Sequence, residues 1–165
     1  MRLAPQQIRT FFVTGVTWQR RPLFKSEPLA LLFIETLLRY RAQGRFQLHE
    51  FLLMPDHFHL LITPAPDVSL EKAVQLIKGG FSFRVKRELG SNAEVWQVGF
   101  TEHRVRGAED FEYHANYIRQ NPVRAGLAET AAEYAYGSAK GGVQLDPPLP
   151  WLKPHEREME LCSPG

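Results

Sequence analysis

Hydrophobic and polar positions follow two different periods along this chain. Segments rich in β-branched and aromatic residues predict four strands, at residues 9–18, 46–53, 57–63 and 94–105. Apolar residues at helical spacing and helix-boundary residues predict three helices, at residues 28–43, 70–89 and 109–119. The predicted order of elements is therefore βαββαβ, with one further helix after it.

Glycine and proline residues indicate where the helices begin, bend and end. Pro28 suits the first turn of the first helix, and Gly44 suits the position after its last turn. Gly79-Gly80, in the middle of the second helix, predicts either a bend or the close approach of another element. Asn121-Pro122 predicts the end of the third helix, because the residue before a proline is disfavoured in helical conformation.

This order of elements predicts an α+β fold of the ferredoxin-like type, in which an antiparallel sheet carries its helices on one face. We expect the other face to be open for a ligand, and an extra C-terminal helix follows the βαββαβ core. Residues 1–137 are predicted to form one domain, and the Gly- and Pro-rich residues 138–165 an irregular tail. The ferredoxin-like fold hosts many unrelated functions, so the chemistry has to be inferred from particular residues.

Charge is distributed unevenly along a chain whose net charge is only +2. Residues 1–45 contain eight basic and two acidic residues, and residues 78–106 contain six basic and three acidic ones. Two basic blocks of this kind suit a phosphate backbone, because each neutralised phosphate releases counterions. The same pattern is equally typical of solvent-exposed helix faces, so charge alone leaves both interpretations open.

Composition excludes several classes of protein. The single cysteine, Cys162, excludes an internal disulfide, and no apolar run approaches the roughly 18 residues needed to cross a bilayer. The first ten residues contain no apolar signal-peptide region, and the chain has no Walker-type glycine loop for nucleoside triphosphates. We therefore expect a cytoplasmic protein without a membrane partner.

Two histidines separated by one residue are the first candidates for chemistry. His57 and His59 lie on a predicted strand, so their imidazoles point to one face while Phe58 points to the other. Two neighbouring imidazoles can bind one metal ion. An H-x-H pair also occurs by chance, but two polar rings on a buried strand are costly unless something engages them.

A tyrosine on the third predicted helix is the second candidate. Tyr117 is followed at i+3 by Gln120 and at i+4 by Asn121, so both amides lie near its face of the helix. A helical tyrosine is ordinarily a core or edge aromatic, and an Asn-Pro pair is ordinarily a helix stop. None of these residues identifies a function on its own.

Three separated motifs together resemble a known family. The strings MPDHFHLLITP, WQVGFTEHRVR and YIRQNPVRAGL occur in the order and at the distances typical of REP-associated tyrosine transposases, a branch of the IS200-like single-tyrosine HUH transposases. The resemblance extends from Thr10 to Ser138. It implies a ferredoxin-like core and a metal-dependent activity that cuts and rejoins single-stranded DNA hairpins derived from repetitive extragenic palindromes.

The resemblance also implies roles for particular residues. His57 and His59 match the metal-binding HUH histidines. Tyr117 matches the nucleophile that forms a 5′-phosphotyrosine, and Asn121 matches the third metal ligand. Mg²⁺ or Mn²⁺ is expected, because phosphate oxygens and water would complete an octahedral shell. Helical geometry alone favours Asn121 only slightly, so Gln120 stays an alternative ligand.

The chain departs from the family pattern at two positions, and a third match has no assigned role. Asp56 stands where an asparagine is usual, and Glu102 stands where an aspartate is usual. His103 also matches the family, without a function that we can assign to it. Basic residues near the motifs and on the second helix are expected to hold DNA phosphates. They are Arg20, Arg21, Lys78, Arg84, Lys86, Arg87, Arg104 and Arg106.

Three other functions are compatible with parts of this sequence. A catalytically silent protein that only binds hairpins is the main alternative, although the matched catalytic set is complete. An RNA-recognition module would share the sheet topology, but no RNP1-like string is present. A metal phosphoesterase that uses water would leave Tyr117 with a structural role. The sequence leaves a monomer and a homodimer equally open.

Overall fold

The computed structural model describes residues 8–153, which form a four-stranded antiparallel sheet and three α-helices. The strands and helices are, in chain order, β1 (Thr10–Val16), α1 (Glu27–Ala42), β2 (Phe46–Met54), β3 (His57–Pro64), α2 (Leu70–Leu89), β4 (Thr101–Val105) and α3 (Ala108–Arg124). The strand order across the sheet is β2-β3-β1-β4. Each neighbouring pair is antiparallel. The predicted ferredoxin-like α+β fold is therefore confirmed.

Two hydrophobic cores lie on the two faces of the sheet. On one face, α1 and α2 cover an aromatic cluster that includes Phe33, Phe58, Phe81 and Trp96. On the other face, α3 packs its own apolar stripe against β2 and β3; the buried members of this stripe are Phe111, Ala115, Ile118 and Pro122. The face that we expected to be open is thus partly covered, because α3 has an apolar side that must be buried.

The fourth strand is shorter than predicted. Only Thr101–Val105 pairs with β1, whereas residues 94–100 form a loop that makes a single bridge between Trp96 and Thr17. Lys78 of α2 forms hydrogen bonds with this loop. Lys78 donates its ammonium group to the carbonyls of Gln97 and Gly99, at 3.0 and 2.7 Å. The Trp96 indole N–H donates to the Lys78 carbonyl at 2.9 Å. Backbone bonds to the end of β1 add to these contacts: the Gln97 amide donates to the Val16 carbonyl and the Trp18 amide donates to the Val95 carbonyl, each at 2.9 Å.

The third helix continues through Pro122, so the predicted stop at Asn121-Pro122 is wrong. A proline removes its own N–H from the helix ladder and crowds the carbonyl four residues earlier, yet the next turn still forms, because the Ala125 amide donates to the Asn121 carbonyl at 2.9 Å. The chain leaves the helix at Gly126, whose φ of 75° lies in the left-handed region that favours glycine. Asn121 is therefore held inside a regular helix.

The segment after α3 runs along the exposed edge of β2. The Leu53 amide donates to the Tyr136 carbonyl and the Asp146 amide donates to the Leu48 carbonyl, each at 2.8 Å. Short 3₁₀ turns interrupt an otherwise irregular path, and Leu152 is buried against the α3 core. Among residues 8–153, no helix has the length and apolar character that crossing a membrane requires.

Candidate functional site

The two histidines of the H-x-H motif lie side by side on the α3 face of the sheet, as strand alternation predicts. Their ring centroids are 4.8 Å apart. Phe58, between them, points into the opposite core and is fully buried. Its ring lies over Gly15 of β1, where an added Cβ would come within 2.4 Å of it. The close passage of β1 therefore requires glycine at this position.

Hydrogen bonds orient both imidazoles through the same ring nitrogen. The Nδ1–H of His57 donates to Asp56 Oδ1 at 2.6 Å, and Nδ1 of His59 is hydrogen-bonded to the Thr14 hydroxyl at 2.7 Å. Partners at Nδ1 leave Nε2 as the nitrogen available to a metal ion, which is the arrangement common around metal-bound histidines. Asp56, the departure from the family's asparagine, thus supports the orientation of His57.

The electrostatics of the pair favour a neutral imidazole at His59. Burial, together with the neighbouring charge of His57, lowers the pKa of His59 to about 3. Burial alone would raise the pKa of Asp56, but the hydrogen bond and charge of His57, with the charge of Arg20, lower it overall. His59 is therefore deprotonated at neutral pH, which is the state that a metal ligand needs.

Tyr117 of α3 lies next to His57 and His59. The centroid of the Tyr117 ring is 5.6 Å from that of His59 and 5.9 Å from that of Phe12. The guanidinium carbon of Arg124, two turns further along α3, lies 5.8 Å from the Tyr117 ring centroid. The structure thus brings together a phenol, two imidazoles and a positive charge on one face of the sheet.

An ion pair that the sequence did not reveal anchors α3 beside the histidines. Arg119, two residues after Tyr117, donates to Glu50 Oε1 of β2 at 2.8 Å. Glu50 is only 5% exposed, and the Ser138 hydroxyl donates to its other oxygen. A carboxylate in a buried strand requires such partners. The lone acid in FQLHEFLLM was the signal that could have indicated this anchor.

The structure leaves the two candidate amides undistinguished. Gln120 and Asn121 are both half-buried near the C-terminal end of α3. Within residues 8–153, neither side chain forms a hydrogen bond that would fix its direction. Because the helix does not break at Pro122, the proline gives Asn121 no special freedom to turn toward the sheet. The assignment of Asn121 as the third ligand stays a prediction.

The basic residues predicted to bind DNA fall into two groups. Lys86, Arg87 and Arg106 are exposed. Arg104 lies close to Arg9 and Arg106; slight desolvation, and then the charges of these two residues, lower its pKa. Like charges gathered at the edge strand favour the binding of an anion by Arg104 and Arg106.

Four other basic residues already have protein partners. Arg20 is 3.4 Å from Asp56 Oδ2, and Arg21 donates to the carbonyls of Trp18 and Glu94. Lys78 is held by the 97–99 loop, and burial lowers its pKa. Arg84 is 8% exposed and is paired with Glu35 and Glu88, so it joins α1 to α2 on the face away from Tyr117.

A second group of ligating side chains lies on the same face as Tyr117, at the edge strand. His103 of β4 and His114 of α3 both contact the carboxylate of Asp110. One potential ligand atom from each of the three residues lies within 4.8 Å of the others. His103 is the residue to which the sequence assigned no role, and its partners come from the following helix.

A sequence model of one protein family matches most of the folded chain. The family is described as "Transposase IS200 like", and the match covers residues 9–121. It therefore spans all four strands, both histidines of the H-x-H motif, Tyr117 and Asn121.

Individual proteins and solved structures are also similar to this chain. A REP-associated tyrosine transposase of Escherichia coli K12 is 22% identical over 80% of this chain and 81% of its own length. A putative REP-associated tyrosine transposase of Haemophilus influenzae is 29% identical over 61% of this chain and 63% of its own length. A solved structure of a REP-associated tyrosine transposase bound to a REP hairpin has a TM-score of 0.67 at 23% identity, over 79% of this chain and 76% of that one. A putative transposase from Deinococcus radiodurans has a TM-score of 0.51 at 18% identity, over 72% and 91%.

Proposed function

Because this chain belongs to the IS200-like transposase family, we propose that it cleaves and rejoins single-stranded DNA at hairpins, with Tyr117 as nucleophile. The observation that carries the proposal is the placement of the Tyr117 ring 5.6 Å from that of His59, with His57 a further 4.8 Å along the same strand. A helical tyrosine in a purely structural role would not need this neighbourhood. The hairpin substrate follows from a related structure, described as a REP-associated tyrosine transposase bound to a REP hairpin.

His57, His59 and Asn121 would hold the metal ion of this site. Two observations support this: both imidazoles are hydrogen-bonded through Nδ1, which leaves Nε2 as the nitrogen available to an ion, and burial keeps His59 neutral at physiological pH. Bound Mg²⁺ or Mn²⁺ would supply positive charge that polarises the scissile phosphate and offsets the charge of its transition state. Two neutral imidazoles and an amide add no negative charge, so they do not reduce the attraction of the ion for the phosphate.

Tyr117 would carry out the covalent step. Its phenol loses its proton to water as the oxygen attacks phosphorus, the new O–P bond forms as the P–O3′ bond breaks, and the departing 3′-oxygen takes up a proton from water to give a free 3′-hydroxyl. Rejoining reverses these changes when a 3′-hydroxyl attacks the 5′-phosphotyrosine, so no nucleoside triphosphate is consumed. The guanidinium of Arg124, 5.8 Å from the ring centroid, would stabilise the negative charge of Tyr117 when the phenol loses its proton.

DNA phosphates would contact the exposed cations of the molecule. Arg104 and Arg106 lie on or just after β4, the edge strand of the sheet, and Arg104 pairs with Phe11, so it points to the face opposite α3. Lys86 and Arg87, at the end of α2, would contact more distant parts of the hairpin. Arg20, which contacts Asp56 at 3.4 Å, and its neighbour Arg21 are expected to contact the strand near the scissile phosphate. Arg84 and Lys78 do not belong to this surface, because protein groups already occupy their charges.

Trapping of a covalent complex tests the proposal. The substrate is a palindromic DNA hairpin with randomised single-stranded flanks and a 3′ label, incubated with Mg²⁺ or Mn²⁺ and separated on a denaturing gel. Wild-type protein should form a labelled protein–DNA band. Tyr117→Phe should lose this band and all cleavage while hairpin binding stays within a few-fold, because only the hydroxyl is removed. Tyr113→Phe, one turn earlier on α3 and 67% exposed, is the matched control and should behave like wild type.

The other outcomes identify the alternatives. Cleavage by Tyr117→Phe without a covalent band would indicate a phosphoesterase that uses water. Hairpin binding by wild-type protein without any cleavage would indicate a catalytically silent binder. Chelation and His57→Ala should each abolish the covalent band; a band that survives both would exclude the proposed metal site.

A further inference from the structure

Three ligating side chains converge at the junction of β4 and α3, outside the proposed catalytic site. His103 Nε2 is 2.8 Å from Asp110 Oδ2, and His114 Nδ1 is 3.1 Å from Asp110 Oδ1. The two imidazoles are stacked, with centroids 4.7 Å apart and planes inclined by 23°. Each carboxylate oxygen therefore has one imidazole beside it. His114 Nδ1 is also 2.9 Å from the Asp110 carbonyl.

The backbone elements that present these residues explain why they meet. Asp110 and His114 are i and i+4 on α3, so they share one face of the helix. His103 is paired with Phe12 across β1 and β4, so it points to the face that α3 covers. His103 is about half exposed at 51%, whereas His114 is largely buried at 14%. The three side chains are therefore buried on the His114 side and open to solvent on the His103 side.

Hydrogen bonding between β4 and α3 does not by itself explain why two histidines contact one carboxylate. One histidine and one carboxylate would be enough to join β4 to α3, and the Arg106 amide already donates to Asp110 Oδ2 at 3.3 Å. Here two imidazoles and a carboxylate present one ligand atom each within 4.8 Å of one another, which is a donor set that can surround a single ion.

We propose that His103, Asp110 and His114 form a second metal site, which binds a divalent transition-metal ion, with Zn²⁺ as the best-matched ion. Two imidazole nitrogens and one carboxylate oxygen are ligands that Zn²⁺ prefers, whereas Mg²⁺ favours oxygen ligands. The ligand atoms lie within 4.8 Å of one another. Because zinc–nitrogen bonds are about 2.0–2.1 Å long, the widest pair has to close by no more than roughly 1–1.5 Å. The exposed His103 side chain can make that movement, and water completes the shell.

This second site is separate from the histidines of the H-x-H motif. Phe12 lies between them, with its ring centroid 5.2 Å from that of His59 and 4.8 Å from that of His114. An apolar ring in this position prevents the two sites from sharing an ion. The proposed role is structural: the ion fixes α3 to β4 one turn before Tyr117, which lies three residues after His114.

Counting bound zinc tests the proposal. Full-length protein is stripped with a chelator, dialysed against Zn²⁺, and analysed for metal per chain. Wild type should bind two equivalents, one at the H-x-H pair and one at the second site. His103→Ala should bind one, and because His103 is a surface residue the variant should still fold. Glu109→Ala, an exposed acid beside Asp110, is the matched control and should bind two. Equal stoichiometry and affinity in His103→Ala and wild type would overturn the second site.

A second measurement removes the H-x-H pair instead. In His57→Ala/His59→Ala, added Zn²⁺ should still raise the thermal unfolding temperature, and added Mg²⁺ should not; a protein that folds but gains no stability from Zn²⁺ would also overturn the proposal. The circular dichroism spectrum establishes whether this double variant folds. If it does not fold, the zinc count on His103→Ala tests the proposal alone. These results are independent of DNA cleavage, so the catalytic proposal and the second site can fail separately.

Discussion

At the scale of single residues, the properties of His59 come from its surroundings on the sheet. Its ring is buried between Phe12, His57 and Tyr117, and its Nδ1 is hydrogen-bonded to Thr14. The same burial that keeps the imidazole neutral for a metal ion makes its protonation costly in the folded state. Folding stability must therefore depend on pH in a defined window.

We predict that the chelator-treated protein loses stability as the pH falls from about 6.5 toward 3. The pKa of His59 is lowered to about 3 in the folded state, from the ordinary histidine value of 6.5, so the unfolded chain binds the proton first. The loss approaches about 1.4 kcal/mol per pH unit for this one group. Urea unfolding at pH 7 and pH 5 measures it. His59→Asn keeps a partner for Thr14 but does not titrate, so its pH dependence should be smaller than that of wild type.

Part of the pH dependence should persist in that variant. Burial also lowers the pKa of His49, whose Nε2 is hydrogen-bonded to Thr63 at 2.8 Å. Its contribution has the same sign, because its folded-state pKa lies below the unfolded value. Identical pH profiles for wild type and His59→Asn would contradict the attribution to His59.

The choice between two amides is also a matter of single residues. We predict that Asn121→Ala slows metal-dependent cleavage by about 10-fold or more, and that Gln120→Ala slows it less, because the family resemblance implies a metal ligand at i+4. Cleavage rates of both variants and of wild type are measured over a Mg²⁺ titration, and hairpin binding by each protein is the control for folding and substrate recognition. A larger defect in Gln120→Ala would transfer the ligand role to that residue and leave the assignment of Tyr117 intact.

At the scale of elements, the packing of α1 against α2 depends on one of two adjacent glycines. A Cβ added at Gly80 would lie 2.5 Å from the Tyr40 hydroxyl oxygen, whereas one added at Gly79 meets nothing within 4 Å. The close approach predicted for the Gly79-Gly80 pair therefore occurs at Gly80. The two positions have the same helix propensity but different surroundings.

We predict different effects for alanine at these two positions. Gly79→Ala should stabilise the protein by about 1 kcal/mol, because alanine favours the helix and its methyl group has room. Gly80→Ala should be less stable than Gly79→Ala by roughly 1–3 kcal/mol, because Tyr40 or the helix must move. Urea unfolding of the two variants supplies the comparison. Equal stabilities would show that Tyr40 swings aside without cost.

At the scale of the whole molecule, the chain after α3 completes the sheet edge. Asp146 accepts from the Leu48 amide at 2.7 Å and from Arg41 Nε at 3.0 Å, and its carbonyl oxygen is 3.0 Å from His49 Nδ1. Ser138 contributes to the Glu50–Arg119 anchor of α3. These contacts connect a segment without regular structure to β2, α1 and, through Glu50, to the helix that carries Tyr117.

We predict that Asp146→Ala destabilises the fold by roughly 2–3 kcal/mol. The substitution leaves the Leu48 amide and the partly buried Arg41 guanidinium without their carboxylate partner, and hydrogen bonds to charged groups contribute about 1.5–3 kcal/mol. Chemical unfolding gives the free energy, with Glu129→Ala, an exposed acid, as the matched control. A loss no greater than that of the control would show that residues 138–153 only cover the edge.

Local patterns in the sequence determined the order of elements, the ferredoxin-like topology and the shared face of His57 and His59. These features depend on periodicity over a few residues, and strand alternation places the two imidazoles together wherever the strand lies. The three motifs by themselves also indicated the transposase family. The prediction that α3 stops at Asn121-Pro122 was wrong. Proline disfavours helical conformation in the residue before it, but burial of the apolar side of α3 outweighs that effect.

Only the tertiary structure decided which side of the sheet α3 covers and which side chains meet there. Glu50 and Arg119 are 69 residues apart, and Arg84 and Glu35 are 49 apart, so no local pattern could pair them. Arg84 appeared as one more cation on a basic helix, yet it lies between two carboxylates. His103, Asp110 and His114 meet because α3 packs back on the edge strand. Such contacts depend on how buried surfaces fit together, which is a property of the assembled layers and not of any one segment.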